Sequence, residues 1–252
     1  MAGHSHWAGI KHRKAAVDSK RSKLWSKLSK AIIVAAKMGG GDPDANIRLR
    51  TAIQEAKAVS LPKDNIERAI KKGTGEIDGG DVEEIIYEGY GPGGVAVMCD
   101  IMTDNRNRTA PELRKLFDSF GGKLGATGCV AYLFERRGLI AISHNAASAE
   151  RVMEIGVENE ALDIIEEPDR VEVHTAPENF STVVAAYQSA DIAMLMSEVT
   201  RIPQTTVDAD QATAERVLKL LESLDDHDDV QSVSTNLDFS SPTVSAAIAS
   251  EG

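Results

Sequence analysis

Apolar positions along the first seventy residues recur at helical spacing. From Val17 to Met38 the stripe is Val17, Leu24, Leu28, Ala31, Ile32 and Ala35, and Gly39-Gly40-Gly41 ends it. Asp42 followed by Pro43 reads as an N-cap and first-turn proline, with Leu49, Ala52, Ile53 and Ala56 forming the buried side of a second helix. A third helix begins at Pro62, carries Ile66, Ala69 and Ile70 on one side, and stops at Gly73-Thr74-Gly75. The pattern predicts a small helical domain over residues 1–75.

After Gly79-Gly80 the period shortens to that of strands. Val82–Tyr90 and Val95–Met102 read as two strands joined at Gly91-Pro92-Gly93-Gly94. Thr109-Ala110-Pro111-Glu112 reads as a capping box for a helix running to Phe120, and Cys129–Phe134 as a further strand. Next come a strand at Leu139–Ser143, a helix at Ser148–Glu158, strands at Leu162–Ile165 and Val171–His174, a helix at Glu178–Tyr187 and a strand at Ile192–Val199. That order is βαββαβ, the ferredoxin-like arrangement. Thr205–Val207, a helix at Gln211–Leu224 and a strand at Val230–Thr235 are too few to bury a core, so they complete the sheet begun earlier. The expected fold is α+β and multidomain: an N-terminal three-helix domain followed by two α+β domains, with the ferredoxin-like unit (136–201) inserted into a discontinuous domain (76–135 and 202–239). Residues 240–252 read as a flexible tail.

Charge changes this picture most. Residues 1–72 hold sixteen lysines and arginines against six acids, a net of +10, whereas the whole chain is −11, so residues 73–252 carry −21. A segregated basic segment is the usual electrostatic footprint of polyanion binding. At about 100° per residue, Lys20, Lys23, Lys27, Lys30 and Lys37 fall within one third of the first helix, opposite Leu28 and Ile32, with no acid between them. The run Lys11-His12-Arg13-Lys14 lies just upstream. The candidate nucleic-acid-binding residues are therefore Lys11, His12, Arg13, Lys14, Lys20, Arg21, Lys23, Lys27 and Lys30. Such cations hold phosphates without reading sequence. Trp25 belongs to the helical core. Trp7, in a polar setting, has two open readings: stacking on a base or docking on a partner.

Other motifs narrow the function by exclusion. His4, His6 and His12 have no companion cysteine and few nearby carboxylates for a zinc site. Gly89-Tyr90-Gly91-Pro92-Gly93-Gly94 satisfies a dinucleotide fingerprint literally, but it joins two strands and Pro92 lacks an amide proton. Asp225-Asp226-His227-Asp228-Asp229 reads as a solvated helix end. Thr103–Thr109 reads as a capped loop, with contact to nucleic acid or a neighbouring domain as the other possibility. No nucleophile–base arrangement stands out, so the chain reads as non-enzymatic, without cofactor, metal or small-molecule substrate. No apolar run approaches the ~20 residues of a membrane span. The amino end has no apolar signal core and Cys99 and Cys129 read as buried thiols, which together predict a cytoplasmic address.

Met1-Ala2-Gly3-His4-Ser5-His6-Trp7 with Ile10-Lys11-His12, Gly39-Gly40-Gly41-Asp42-Pro43, Leu61 to Ile70, Tyr87 to Gly94 and Thr103 to Thr109 together closely resemble the YebC/PmpR family. The match runs in order from Met1 to about Ser240. The resemblance implies three domains and a DNA-binding transcriptional regulator. It also implies an alternative, since mitochondrial relatives are translational activators and some bacterial members resemble ribosome-associated factors, which makes ribosomal RNA the partner. A protein-protein adaptor whose basic segment pairs with an acidic protein is a third reading.

Overall fold

A computed structural model describes residues 21–250. Helix α1 spans Arg21–Gly39, α2 Ile47–Ala58 and α3 Lys63–Gly73. Their apolar stripes meet in one core, where Ile32, Leu49 and Ala56 are fully enclosed among Ile33, Ile53, Leu61, Ile66 and Ala69. Trp25 packs on this core and its Nε1 donates to the Val59 carbonyl at 3.2 Å. Close approach of α1 and α3 depends on Gly73, where a Cβ would sit 2.3 Å from the Ile33 carbonyl oxygen. The start of α2 differs from the expected Asp42 cap. Buried Asn46 caps it, accepting from Leu49 N–H at 3.0 Å while its Nδ2 donates to the carbonyls of Ala35 (2.8 Å) and Gly40 (2.9 Å). One amide thus ties the end of α1 to the start of α2, and Asp42 only turns the chain by accepting from Asp44 N–H.

Beyond residue 82 the chain builds two four-stranded antiparallel sheets. The first joins β1 (Glu83–Tyr90), β2 (Ala96–Thr103), β3 (Lys123–Leu124) and β8 (Val230–Thr235) in the order β3-β1-β2-β8. Helices α4 (Arg106–Ser119) and α7 (Gln211–Asp225) cover one face, where Val97, Cys99 and Ile101 meet Leu113, Phe117, Leu220 and Leu221. The glycine run between β1 and β2 is a turn, closed by Gly91 N–H on the Val95 carbonyl at 2.8 Å, with Gly93 and Gly94 at φ 68° and 77°.

The second sheet joins β4 (Phe134–Ser143), β5 (Asp163–Glu166), β6 (Arg170–Thr175) and β7 (Met196–Pro203) in the order β5-β6-β4-β7. Helices α5 (Ala149–Glu158) and α6 (Phe180–Ser189) pack on it around Ile140, Ile142, Val173 and Tyr187. This is the ferredoxin-like order, and in sequence it interrupts the first sheet between β3 and α7. Its first and last strands pair Phe134 with Pro203, and Gln204 N–H donates to the Leu133 carbonyl at 2.8 Å, so the insertion leaves and returns at one point.

Several boundaries differ from the pattern-based reading. Cys129–Phe134 is not a strand, because Glu88 takes the N–H groups of Gly128, Val130 and Ala131 (2.7–2.9 Å) that a ladder would have used. Residues Ala131–Leu133 form a 3-10 turn and β4 starts at Phe134. Helix α4 begins at Arg106 instead of Thr109, since the Asn105 side chain caps it from Arg108 N–H at 3.1 Å. Strand β7 lies four residues later than expected, and Thr205–Val207 contributes a single bridge at Val207. The expected flexible tail is also corrected. Pro242–Ser250 form helix α8, whose Val244 and Ala247 are fully enclosed in the core of the first α+β domain, with Ile248 packed beside them. Their i, i+3, i+4 spacing is an apolar stripe that small residues disguise.

Replacing Val244 with Ala removes two enclosed methyl groups and is expected to lower stability by about 2 kcal/mol. Urea denaturation measures this; an unchanged midpoint means the helix contributes nothing to the fold.

Candidate nucleic-acid interface

Helix α1 does carry a coherent cationic face, and the structure gives that face an internal anion. Lys23 Nζ donates to the Asp226 carbonyl at 2.8 Å, Lys27 Nζ to the Asp225 carbonyl at 2.6 Å and Lys30 Nζ to the Asp228 carbonyl at 2.9 Å. These carbonyls belong to the carboxyl end of α7 and the turn after it. The last carbonyls of a helix lack intrahelical partners and mark the negative pole of its dipole. The Asp225 and Asp226 carboxylates add charge at 3.6 and 3.7 Å from Lys27 and Lys23, and Lys30 pairs directly with Asp229. Further along, Lys37 faces Asp81 at 3.7 Å.

Asp229 is the centre of this clamp, its side chain 1% exposed. Its carboxylate accepts from Lys30 Nζ, Arg108 Nη2 (2.9 Å), Thr109 Oγ1 (2.7 Å) and Thr103 Oγ1 (3.1 Å), while its backbone carbonyl accepts from Met102 N–H at 2.9 Å. Burial alone would raise its pKa. The hydrogen bonds from Lys30, Arg108 and Thr109 outweigh that and hold the carboxyl far below the usual aspartate range. The same bonds raise Arg108, whereas burial lowers Lys27 despite the nearby Asp225.

Asp229 N–H donates to His227 Nδ1 at 3.1 Å, which leaves the imidazole proton on Nε2 to meet Glu112 Oε2 at 3.0 Å. Glu112, His227 and Asp229 bring one ligand atom each within 4.8 Å of one another. The charges of Lys30 and Arg108 already offset that of Asp229, so the trio offers a cation little net attraction.

The expected residues therefore divide. Lys11, His12, Arg13, Lys14 and Lys20 lie outside the described residues, as does the side chain of Arg21, and Trp7 with them. Lys23, Lys27 and Lys30 do not form a free phosphate ridge: their ammonium groups are committed to another part of the same chain, and Lys27 is buried. The Asp225–Asp229 run is correspondingly not a solvated helix end. Within Thr103–Thr109, Asn105 caps α4 and Thr103, Arg108 and Thr109 bind Asp229, so this heptapeptide joins neighbouring parts of the chain.

Five cations of the helical domain have no carboxylate partner among the described residues: Lys57 on α2, Arg68, Lys71 and Lys72 on α3, and Arg50 on α2, whose guanidinium donates to the Pro43 and Asp44 carbonyls. Sequence reasoning left these out because they do not fall on one helix face with the others. Arg48 pairs with Glu84 of β1, and Arg201 of β7 pairs with Asp100 of β2, which also accepts from Ser232 Oγ at 2.7 Å. The helical domain and the ferredoxin-like unit are thus both joined to the first sheet by charge pairs.

Residues 5–76 match the model of the TACO1/YebC protein N-terminal domain, and residues 82–237 that of the TACO1/YebC second and third domain. The chain belongs to the TACO1/YebC family. A "probable transcriptional regulatory protein" of Rhodopirellula baltica is 61% identical to this TACO1/YebC chain over 246 residues, covering 97% of it and 100% of the relative. One from Natranaerobius thermophilus is 54% identical over 242 residues, covering 95% and 97%. The crystal structure of a conserved hypothetical protein from Aquifex aeolicus matches with a TM-score of 0.82 at 48% identity, over 92% of this chain and 96% of that one. No helix among the described residues is long and apolar enough to cross a membrane.

Replacing Asp229 with Asn leaves Lys30 and Arg108 without their buried counter-charge and is expected to cost about 3 kcal/mol at neutral pH. Because folding depresses the Asp229 pKa, its contribution is complete above the unfolded value of about 4 and is lost progressively as pH falls from there through the much lower folded value. The gap between variant and wild-type denaturant midpoints should therefore be smaller at pH 3 than at pH 7; a constant gap removes Asp229 from the acid response.

Proposed function

We propose that this protein is a non-enzymatic regulator of gene expression that binds nucleic acid through its basic amino-terminal segment, with DNA in transcriptional control as the target. The observation that carries this reading is the charge segregation: +10 over residues 1–72 against −21 over the remainder. The relatives' names as probable transcriptional regulatory proteins support the regulatory role. The clamp to α7 refines the contact residues. Lys23, Lys27 and Lys30 hold the helical domain to the acidic body. Phosphate contact then falls to Lys11, His12, Arg13, Lys14, Lys20 and Arg21, with Lys57, Arg68, Lys71 and Lys72 available on the same domain. Contacts of this kind act by charge and counterion release, so affinity falls steeply with salt. The acidic body repels phosphates and keeps the polyanion at the basic end.

Reversing Lys11, Arg13, Lys14 and Lys20 to Glu is expected to abolish retardation of duplex DNA in a low-salt gel. It should also flatten the slope of log affinity against log salt by about 3 to 4. Retained binding removes the segment from the mechanism. Sedimentation with ribosomes at physiological salt, stronger than binding to duplex DNA, assigns the same segment to ribosomal RNA and translation instead.

A further inference from the structure

The acidic body contains one basic island. Residues 73–105 hold eight acids and no lysine or arginine, and residues 138–252 hold twenty-two acids against five cations. Between them, Arg106–Arg137 holds seven cations against Glu112, Asp118 and Glu135, a net of +4. Two of the seven are used internally: Arg108 on Asp229 and Arg137 on Glu135. Arg106, Arg114, Lys115, Lys123 and Arg136 are exposed and have no carboxylate partner among the described residues.

Of these, Lys123 lies on edge strand β3 of the first sheet and Arg114 and Lys115 on α4, which packs against that strand; the exposed aromatics of the described residues, Tyr90 and Tyr132, lie on and beside the neighbouring β1. Lys123 is on edge strand β3, directly opposite Tyr90 in the β1 register, so the two side chains share a face. Tyr90 Oη donates to the Cys129 carbonyl at 2.9 Å, and the Tyr132 phenol lies beside it. Tyr132 is 68% exposed and Tyr90 36%. Around the corner, a shallow groove on α4 is lined by Pro111, Arg114, Lys115, Asp118 and Ser119. The Arg216 guanidinium of α7 lies alongside Gly121 in the link between α4 and β3.

A buried carboxylate pins the loop that presents Tyr132. Glu88, 3% exposed, receives three backbone N–H groups from Gly128, Val130 and Ala131. A buried carboxylate is a costly way to shape a loop, and here it fixes the turn that ends in an outward-facing phenol. A lone lysine on an edge strand guards against strand pairing. A lysine beside two exposed rings, within a basic island, also matches the chemistry of a chain that alternates phosphates with flat bases.

We propose that this edge is a second nucleic-acid contact, specific for single strands: Tyr90 and Tyr132 stack on unpaired bases while Arg114, Lys115, Lys123 and Arg216 hold the flanking phosphates. Base-paired nucleic acid buries the faces these rings need, so the site discriminates strandedness and not sequence. The inference rests on the nucleic-acid reading above but concerns a different surface.

The test is fluorescence anisotropy of the full chain with labelled 20-mer oligo(U), oligo(dT) and a duplex of matched length. Tyr132→Ala, at an exposed position, is expected to weaken single-strand binding about tenfold with duplex binding unchanged, and Tyr132→Phe to restore it. Lys115→Glu with Lys123→Glu should weaken single strands more steeply. The oligo(U) and oligo(dT) arms separate RNA from DNA as the source of the strand. Unchanged single-strand affinity in Tyr132→Ala, with loss only when Lys11, Arg13, Lys14 and Lys20 are reversed, overturns the edge site and leaves the basic-segment reading standing. Wild-type protein that binds none of the three overturns both. Pull-down of an acidic protein that survives nuclease and is lost in Lys115→Glu/Lys123→Glu overturns the single-strand assignment.

Discussion

One buried carboxylate organises the arrangement of the domains. Asp229 sits where the carboxyl end of α7, the start of α4 and the cationic face of α1 converge, and it is satisfied from all of these directions at once. A charge this enclosed is tolerable only when its acceptor positions are filled by donors, two of which are cationic. Lys30 comes from the helical domain and Arg108 from the first α+β domain, so full satisfaction of Asp229 requires both domains to be in register. Lys23 and Lys27 extend the contact along two further carbonyls of the same helix end. The clamp therefore acts as a positional lock on top of the apolar contacts, among them Met102 reaching from β2 into the helical core.

Much of the architecture is legible in residue spacing. The helical stripe of Leu28, Ile32 and Ala35, the turn at Gly91–Gly94 and the βαββαβ order each follow from a local period that the packing then uses. Element ends are less legible, because a cap depends on which side chain finds the free amides. Asn46 and Asn105 hold those positions, while Asp42-Pro43 and Thr109–Glu112 look equally competent on paper. The segment after Cys129 misleads for a related reason: its apolar run suits a strand, but Glu88, forty residues earlier, takes the amides.

The lysines of α1 show where sequence reasoning about a site stops. Their common direction and lack of acidic neighbours are local facts and are read correctly. What they face is settled by a helix end almost two hundred residues away, and no period in the chain records that proximity. The acidic run at Asp225–Asp229 and the lysine ridge are each unremarkable as solvated surfaces, yet they are complementary when the tertiary fold brings them together. The cations of this chain are thus divided between those that hold the domains together and those without a carboxylate partner among the described residues.

The chain enters and leaves the ferredoxin-like unit at one point, where Phe134 lies opposite Pro203 and the Leu133 carbonyl receives the Gln204 amide, with the Arg201–Asp100 pair as a further tie to the parent sheet. A module attached this way makes no demand on the pairing of β1, β2, β3 and β8 in the parent sheet. Across descendants of one ancestor it can lengthen, shrink or alter its outer surface while the parent scaffold stays intact. Diversification of partners can therefore concentrate in that outer lobe, with the basic head and its lock left unaltered.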